Sequence, residues 1–82
     1  MNTKYEMLKH DTIIHENRVL CRVRALKDFS AVKRGSVGGY IQKEDNLSEK
    51  GNAWVADDAM VLDDARVLGL LVKEVIKSYN GT

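Results

Sequence analysis

The feature that most constrains this sequence is a six-residue recurrence of small and aliphatic side chains within residues 51–69, GNAWVADDAMVLDDARVLG. The recurring positions are Ala53, Val55, Ala59, Val61, Ala65 and Val67. An amphipathic helix repeats apolar residues every three or four positions and a half-buried strand every second position, so neither period fits. The spacing predicts short flat segments joined by tight corners, which wind into a β-helix with three hexapeptides in each turn.

The recurrence extends towards the N-terminus and then fails. Ile41 and Leu47 hold the position of the alanines and Val37 holds that of the valines, whereas Lys43 and Glu49 break the pattern. We therefore interpret QKEDNLSEKG as an excursion from the coil. Polar pairs fall where corners are expected, and we interpret them as turn residues, not as a metal or catalytic dyad, because Asp and Gly tolerate turn geometry. These pairs are Gly51-Asn52, Asp57-Asp58 and Asp63-Asp64.

The segments on either side of the coil have other periods. Before it, two β-type runs flank a polar turn from His15 to Arg18, and the second run, VLCRVRAL, alternates with a period of two, so a β-hairpin is expected. After it, apolar residues return at three and four positions, which predicts an amphipathic helix that caps the coil of its own chain or of a neighbour. The predicted domain, 1–82, is mainly β: a hairpin lead-in (1–30), one to two turns of coil (31–68) and a C-terminal helix (69–80).

Composition and charge exclude several classes of protein. The 82 residues carry a formal net charge of +1, so no bulk attraction to nucleic acid or to an anionic membrane is expected. The longest apolar run, residues 67–72, is too short to span a bilayer, and the first residues do not have the pattern of a signal peptide. Cys21 cannot form an internal disulfide and suits a reducing compartment. We expect a cytoplasmic protein, located in the host cell if a phage encodes it.

Two groups of residues are candidate binding surfaces. Cations concentrate around the glycine-rich stretch KRGSVGG, and they could bind a small phosphate-bearing ligand or an acidic protein surface, although ordinary solvated faces remain the alternative. This candidate cationic patch consists of Arg22, Arg24, Lys33 and Arg34. Outward-facing apolar side chains predict a second surface, covered by the C-terminal helix or by another subunit of a homo-oligomer. This candidate interface consists of Trp54, Met60, Leu62, Leu68, Leu71, Val75 and Tyr79.

We expect neither a catalytic site nor a metal site. Acyltransferases built on hexapeptide coils need a histidine as general base near an acyl cleft, whereas His10 and His15 precede the repeat. The spacing of these histidines with Cys21 or Asp11 matches no zinc pattern. The sequence therefore predicts no catalytic residues, no metal and no cofactor.

Residues 25–55, ALKDFSAVKRGSVGGYIQKEDNLSEKGNAWV, resemble the lead-in of phage and prophage proteins of the hexapeptide-repeat, left-handed β-helix type, whose functions are largely uncharacterised. The shared pattern is ALKDF…VK.G..GGYI…E.NLS..GNAWV, followed by hexapeptides similar to GNA.V, and the resemblance covers about residues 19–68. It implies a left-handed coil, often an oligomer, and no catalytic residues. Proteins of this kind continue for many coils, whereas this chain changes period after DDARVLG.

The favoured function is that of a small, non-enzymatic phage-type binding protein. In this hypothesis it inhibits a host defence system, as an anti-CRISPR-like or other anti-defence protein, by masking a protein surface or sequestering a nucleotide signal. A structural or assembly protein of a phage particle is one alternative. A degenerate hexapeptide acyltransferase-like protein is another.

Overall fold

The computed structural model describes residues 2–76. These residues form β1 (Tyr5–His15), β2 (Arg18–Ala25), β3 (Val37–Ile41), a single 3-10 turn (Glu44–Asn46), β4 (Trp54–Val55), β5 (Met60–Val61), β6 (Leu71–Val72) and β7 (Val75–Ile76). One sheet has the order β1-β2-β3-β5-β7, and a second sheet pairs β4 with β6. The expectation of a mainly β protein is confirmed over this part of the chain.

The lead-in is the predicted hairpin. β1 and β2 pair antiparallel around Glu16 and Asn17, whose φ angles of 51° and 66° are those of a tight two-residue turn that follows the twist of the strands. Between Leu8 and Thr12 the register shifts, so that Lys9 to Asp11 bulge out of the ladder. β2 then pairs antiparallel with β3, which joins the hairpin to the coil.

After β3 the chain winds around three sides, and successive turns stack in parallel. The first side pairs Ile41 with Val61 and Val61 with Ile76, through β3, β5 and β7. The second side is a parallel bridge between Leu47 and Val67. The third side pairs β4 with β6. The recurrence therefore marks sides of a coil.

The interior of the coil is filled by the predicted positions, which are at most 3% exposed: Ile41, Leu47, Ala53, Val55, Ala59, Val61, Ala65 and Val67. Small and aliphatic side chains are required there because a narrow lumen leaves no room for larger ones. Val37 departs from the prediction, since its side chain is 51% exposed on the first residue of β3.

The corners also lie where the sequence places them. Gly51, Asp57 and Asp63, each six residues apart, have φ angles of 65°, 54° and 55°. This left-handed conformation favours glycine and is tolerated by Asp, which explains the residue types at these positions. The interpretation of the Asp pairs as turn residues is confirmed at Asp57 and Asp63.

The excursion, residues 42–51, is held by buried polar side chains that the periodicity does not reveal. The Asn46 side chain accepts hydrogen bonds from the amides of Gln42 and Lys43 and donates to the carbonyls of Asp63 and Ala65 in the next turn, 3.1 and 2.8 Å away. Asn46 therefore satisfies its own segment and fastens it to the turn that follows.

Lys4 and Tyr5, near the N-terminus, donate side-chain hydrogen bonds to the backbone in and next to the excursion. Lys4 Nζ donates to the carbonyls of Ser48, Lys50 and Ala53 and lies 4.7 Å from the ring centroid of Phe29. Burial, and to a lesser degree the charge of Lys27, lowers the pKa of Lys4 to about 8. The Tyr5 hydroxyl donates to the carbonyl of Leu47 at 2.6 Å, and burial raises the pKa of this phenol.

A second apolar cluster lies outside the coil, between the hairpin and the first side. It consists of the buried side chains of Leu20, Tyr40 and Leu62, with Ile13 and Met60 packed against them. Arg18 reinforces the contact through two hydrogen bonds to the Asp63 carboxylate, 2.6 and 2.9 Å long. The hairpin therefore packs against the outer wall of the coil.

The predicted C-terminal helix is wrong over residues 69–76, and residues 77–80 lie outside the described part. Val72 and Ile76 are buried and Leu71 and Val75 point outward on two short strands. An apolar spacing of four suits one face of a helix, but it equally places two inward residues on either side of a corner. The strands form instead of a helix because the previous turn of the coil supplies hydrogen bonds: the amides of Ala56 and Leu62 donate to the carbonyls of Val72 and Ile76 at 2.8 Å.

Candidate functional site

The last turn of the coil carries the main exposed apolar surface of residues 2–76. Half of the large apolar side chains that are exposed there fall within residues 68–75, and we call these four the terminal-coil surface: Leu68, Leu70, Leu71 and Val75, at 48, 61, 49 and 48% exposure. These four side chains lie within eight residues of one another on the last turn, and exposed apolar side chains in such number are a candidate contact site. Three of the four belong to the candidate interface predicted from the sequence, whereas Leu70 was missed.

Trp54, Met60 and Leu62 do not have the exposure on which their prediction as interface residues depended. Trp54 is 4% exposed and Leu62 is fully buried, while Met60 is half-buried against the second apolar cluster. The Trp54 indole occupies the space above Gly38, where a Cβ would lie 2.7 Å from its Cζ2 atom, and it meets the Phe29 ring edge-on at 5.4 Å. The lead-in, not a helix, covers these side chains. Tyr79 lies outside the described residues.

The cationic patch is only partly available to a ligand. The Arg22 guanidinium donates to the Gly38 carbonyl (2.7 Å), the Tyr40 hydroxyl (2.6 Å) and the Asp58 carboxylate (2.9 Å), and it stacks 4.3 Å from the centroid of the Tyr40 ring. Burial opposes the charge of Arg22, but the hydrogen bonds that its guanidinium donates to Asp58 and Tyr40 outweigh burial and raise its pKa above the ordinary value. Arg22 therefore links the hairpin to a corner of the coil through hydrogen bonds.

The three other cations of the patch have different environments. Arg24 forms an ion pair with Glu6 across the hairpin. Lys33 and Arg34 are exposed in the loop before β3, and the Arg34 backbone amide donates to the Asp28 carboxylate at 2.8 Å. A phosphate-bearing ligand would therefore have to compete with Glu6 and Asp58 for two of the four side chains.

The histidines and the cysteine do not converge. His10 is exposed on the bulged part of β1, His15 lies at the hairpin end with Nε2 3.4 Å from Glu16, and Cys21 is buried in β2. Within residues 2–76, no group of three or more His, Cys, Asp or Glu side chains is placed to hold a metal ion. In the same range, no helix has the length and apolar character needed to cross a membrane.

A shallow groove of about 370 Å³ lies between the N-terminal segment and the excursion. Its floor includes Tyr5 and Leu47, and its rim carries the acidic side chains of Glu44, Asp45 and Glu49. The sequence does not indicate this groove, because its two walls are about forty residues apart in the chain. The groove borders Leu68, so it adjoins one edge of the terminal-coil surface.

Comparison with known proteins adds one similarity. No family model matches the chain, and no solved structure matches it significantly. A protein of Escherichia coli (strain K12) described as an uncharacterized acetyltransferase, YdcK, is 31% identical over 64 residues, which cover 70% of this chain. The chain spans only 20% of the length of that relative. The similarity therefore concerns one segment of a much longer protein.

Proposed function

We propose that the chain is a left-handed β-helix of the hexapeptide-repeat type that acts as a non-catalytic binding module. Parallel stacking on three sides, a lumen filled at six-residue intervals and the lead-in that resembles phage and prophage proteins support the β-helix. The observation that carries the binding role is the terminal-coil surface, where exposed leucine and valine side chains would gain free energy by contact with a partner.

Site-specific photocrosslinking tests this proposal. A photoreactive amino acid at Leu71, introduced in cells that produce the protein, is expected to capture a discrete partner. The same amino acid at Val37 is the matched control, because Val37 is similarly exposed but lies at the start of β3. Equal labelling at both positions, or none at Leu71, contradicts a binding role for the terminal-coil surface.

The narrower proposal is that the partner belongs to a host defence system. Its support is the resemblance to phage and prophage proteins. The pairing of Arg22 with Asp58 and of Arg24 with Glu6 favours masking of a protein surface over sequestration of a nucleotide signal. Identification of the captured protein by mass spectrometry separates this proposal from the alternative of a structural or assembly role, in which a particle component would be captured.

A second candidate function is that of an acyltransferase-like module, which the similarity to the Escherichia coli protein favours. In that case acetyl-coenzyme A should bind measurably in calorimetry. A non-catalytic module gives no such heat and transfers no acetyl group. His10→Ala and His15→Ala would then be the variants to examine, because a general base for acyl transfer is most often histidine.

A further inference from the structure

The hairpin forms one edge of the main sheet. β1 is the first strand in the sheet order and pairs only with β2, so it is an edge strand in the part of the chain that the structure describes. The bulge at Lys9 to Asp11 divides this edge, and on the far side of the bulge the Tyr5 amide already donates to the Asn2 side chain. The regular edge that a further strand could use is therefore the end of β1, residues 12–15.

The residues that follow β7 are too few to cover this edge. One row of paired residues crosses the whole sheet: Ile76, Val61, Ile41, Cys21 and Thr12. Four strand spacings of about 4.8 Å place Thr12 about 19 Å from Ile76. The six residues after Ile76 span at most about 20–22 Å, so they cannot both cross the sheet and pair along β1.

The backbone groups of Thr12 and Ile14 point away from the sheet. The two-residue turn makes His15 and Arg18 a hydrogen-bonded pair, because this is the pairing that closes a tight hairpin. In an antiparallel ladder, alternate residues of a strand direct their amide and carbonyl groups to opposite sides. Ile14 and Thr12 therefore direct theirs outward, and such an edge is a template for a further strand.

This edge also carries the most exposed large apolar side chain of residues 2–76. Ile14 is 77% exposed, and Val19, its cross-strand partner in the hairpin, is 57% exposed. On the opposite face of β1, Ile13 is half-buried against the second apolar cluster. A strand added to this edge would therefore meet apolar side chains on both faces.

We propose that this edge pairs antiparallel with the same edge of a second copy of the chain, in a two-fold dimer whose axis passes between the two Ile13 residues. In this register Thr12 of each copy faces Ile14 of the other. A two-fold contact uses the same residues twice and closes on itself. The dimer does not involve the terminal-coil surface, which remains available to the partner of the binding module.

The outward backbone groups select this register. Residues that direct their groups outward must face one another, so Thr12 can face Ile14, Thr12 can face Thr12, or Ile14 can face Ile14. The second arrangement sets Ile14 against His10, which lies in the bulge. The third sets Thr12 against Glu16, which lies in the turn with a φ angle of 51°. Only the first arrangement therefore pairs both outward residues of each copy within regular strand.

The side chains match in the same register. On one face the two Ile13 side chains meet at the axis, where facing Cα atoms of a pair without hydrogen bonds lie about 4.5 Å apart, and they join the second apolar clusters of both copies. On the same face Asp11 of each copy is opposite His15 of the other, so a carboxylate faces an imidazole twice. On the other face, Ile14 and Val19 of both copies form one apolar patch.

The arrangement leaves room for both coils. β2 and β1 of each copy lie between its β3 and the axis, so five strand spacings, about 24 Å, separate the two β3 strands. Each β3 pairs with Cys21 to Arg24 of β2, and these residues face β1 on the N-terminal side of Ile13. Rotation about the axis therefore places the two coils at opposite ends of the new strand pair.

Disulfide crosslinking tests the register. In a Cys21→Ala background, Ile13→Cys should form a covalent dimer when oxidised glutathione is added, because facing Cα atoms at the axis lie within the range that a disulfide spans. Thr12→Cys and Ile14→Cys should each crosslink poorly alone, since symmetric copies are two residues out of register, and readily when the two reduced proteins are mixed before oxidation. Val37→Cys, exposed at the start of β3, is the control.

Sedimentation velocity over about a hundredfold range of protein concentration measures the strength of the dimer. Ile14→Glu should raise the dimer dissociation constant by about tenfold or more, because it places two charges in the shared apolar patch. Val37→Glu is the matched control and should leave the dissociation constant unchanged. The emission of buried Trp54 reports that each variant is folded.

A dimer that Ile14→Glu weakens, together with the expected crosslinks, supports the proposal. A wild-type protein that stays monomeric, that forms species larger than a dimer, or that crosslinks best through Thr12→Cys or Ile14→Cys alone overturns it. A dimer that Leu71→Glu disrupts and Ile14→Glu does not would use the terminal-coil surface instead, and this result also overturns it. Photocrosslinking at Leu71 tests the binding module separately, so either proposal can fail alone.

Discussion

The Nζ atom of Lys4 lies 2.6 Å from the carbonyl oxygen of Ala53, 49 residues further along the chain. Its two other acceptors are the carbonyls of Ser48 and Lys50. A fully buried lysine therefore donates to two carbonyls of the excursion and to one at the start of the hexapeptides that follow it. The excursion keeps its shape because the start of the chain supplies donors that the coil lacks.

Replacement of Lys4 by methionine should destabilise the protein by about 1–3 kcal/mol, because methionine fills similar space but leaves buried carbonyls without a donor. Urea denaturation followed by Trp54 emission measures the change. Lys33→Met, at an exposed position, is the matched control and should have little effect. Equal stability of the two variants would show that Lys4 does not hold the excursion.

The pKa of Lys4, about 8 in the folded protein against 10.5 ordinarily, predicts a pH dependence. Between these two values the unfolded chain binds more protons at this residue than the folded protein, so stability from Lys4 rises with pH. The wild-type protein should therefore gain free energy of unfolding relative to Lys4→Met as the pH is raised through this window. Lys27→Met should move the gain to higher pH, since Lys27 contributes to the shift. A difference independent of pH would contradict the burial of the charge.

Asn46→Asp should destabilise the protein by about 2–3 kcal/mol at neutral pH, although the two side chains have almost the same shape. A carboxylate would replace the amide that donates to the carbonyls of Asp63 and Ala65, in a fully buried site. Part of the loss should be recovered in mild acid, where a protonated carboxyl can donate once. Asp45→Asn changes the charge of the exposed neighbour and serves as the control for denaturation at both pH values.

Gly38→Ala should cost about 1–3 kcal/mol through overpacking, because the added Cβ would meet the Trp54 ring and the backbone carbonyl of Val55. Displacement of the indole should also shift its emission to longer wavelength. Gly69→Ala is the control, since a Cβ there has no heavy atom within 4 Å. An unchanged emission spectrum in Gly38→Ala would show that the indole does not pack on this glycine.

The corner residue Asp57, with φ 54°, offers a test of the six-residue geometry. Asp57→Gly should leave stability unchanged or increase it, whereas Asp57→Val should cost about 1–2 kcal/mol, because a β-branched residue is strained in the left-handed region. Asp64→Val, at the following corner but without a positive φ, should cost less. Thermal unfolding of the three variants ranks these effects, and the opposite order would reject the corner assignment.

Much of the coil could be predicted because its physics is local and periodic. Val55 and Val61 occupy equivalent sites, as do Gly51 and Asp57, so repetition itself reveals the inward positions and the corners. The hairpin was predictable for a similar reason, since a period of two flanks a polar turn at Glu16 and Asn17.

The parts that escaped prediction depend on contacts between distant segments. The residues near Trp54 in the sequence do not predict that Gly38 leaves room for the indole ring, or that Phe29 packs against that ring. The spacing of Val72 and Ile76 suits both a helix and a coil corner. The corner forms because amides of the previous turn donate hydrogen bonds to the carbonyls of these two residues. The pairing of Arg22 with Asp58 could not be predicted from the sequence either, because it joins a strand to a corner 36 residues away.

The apolar cluster of Leu20, Tyr40 and Leu62 packs the hairpin against the coil. In a long solenoid each repeat contacts only its neighbours, so loss of a terminal repeat leaves the remainder intact. Here, removal of the first thirty residues would expose the side chains of Tyr40 and Leu62 that now pack against the hairpin, and the remaining coil would unfold. We therefore expect the molecule to unfold in a single cooperative step, as small globular domains usually do, even though its interior is laid out as a repeat.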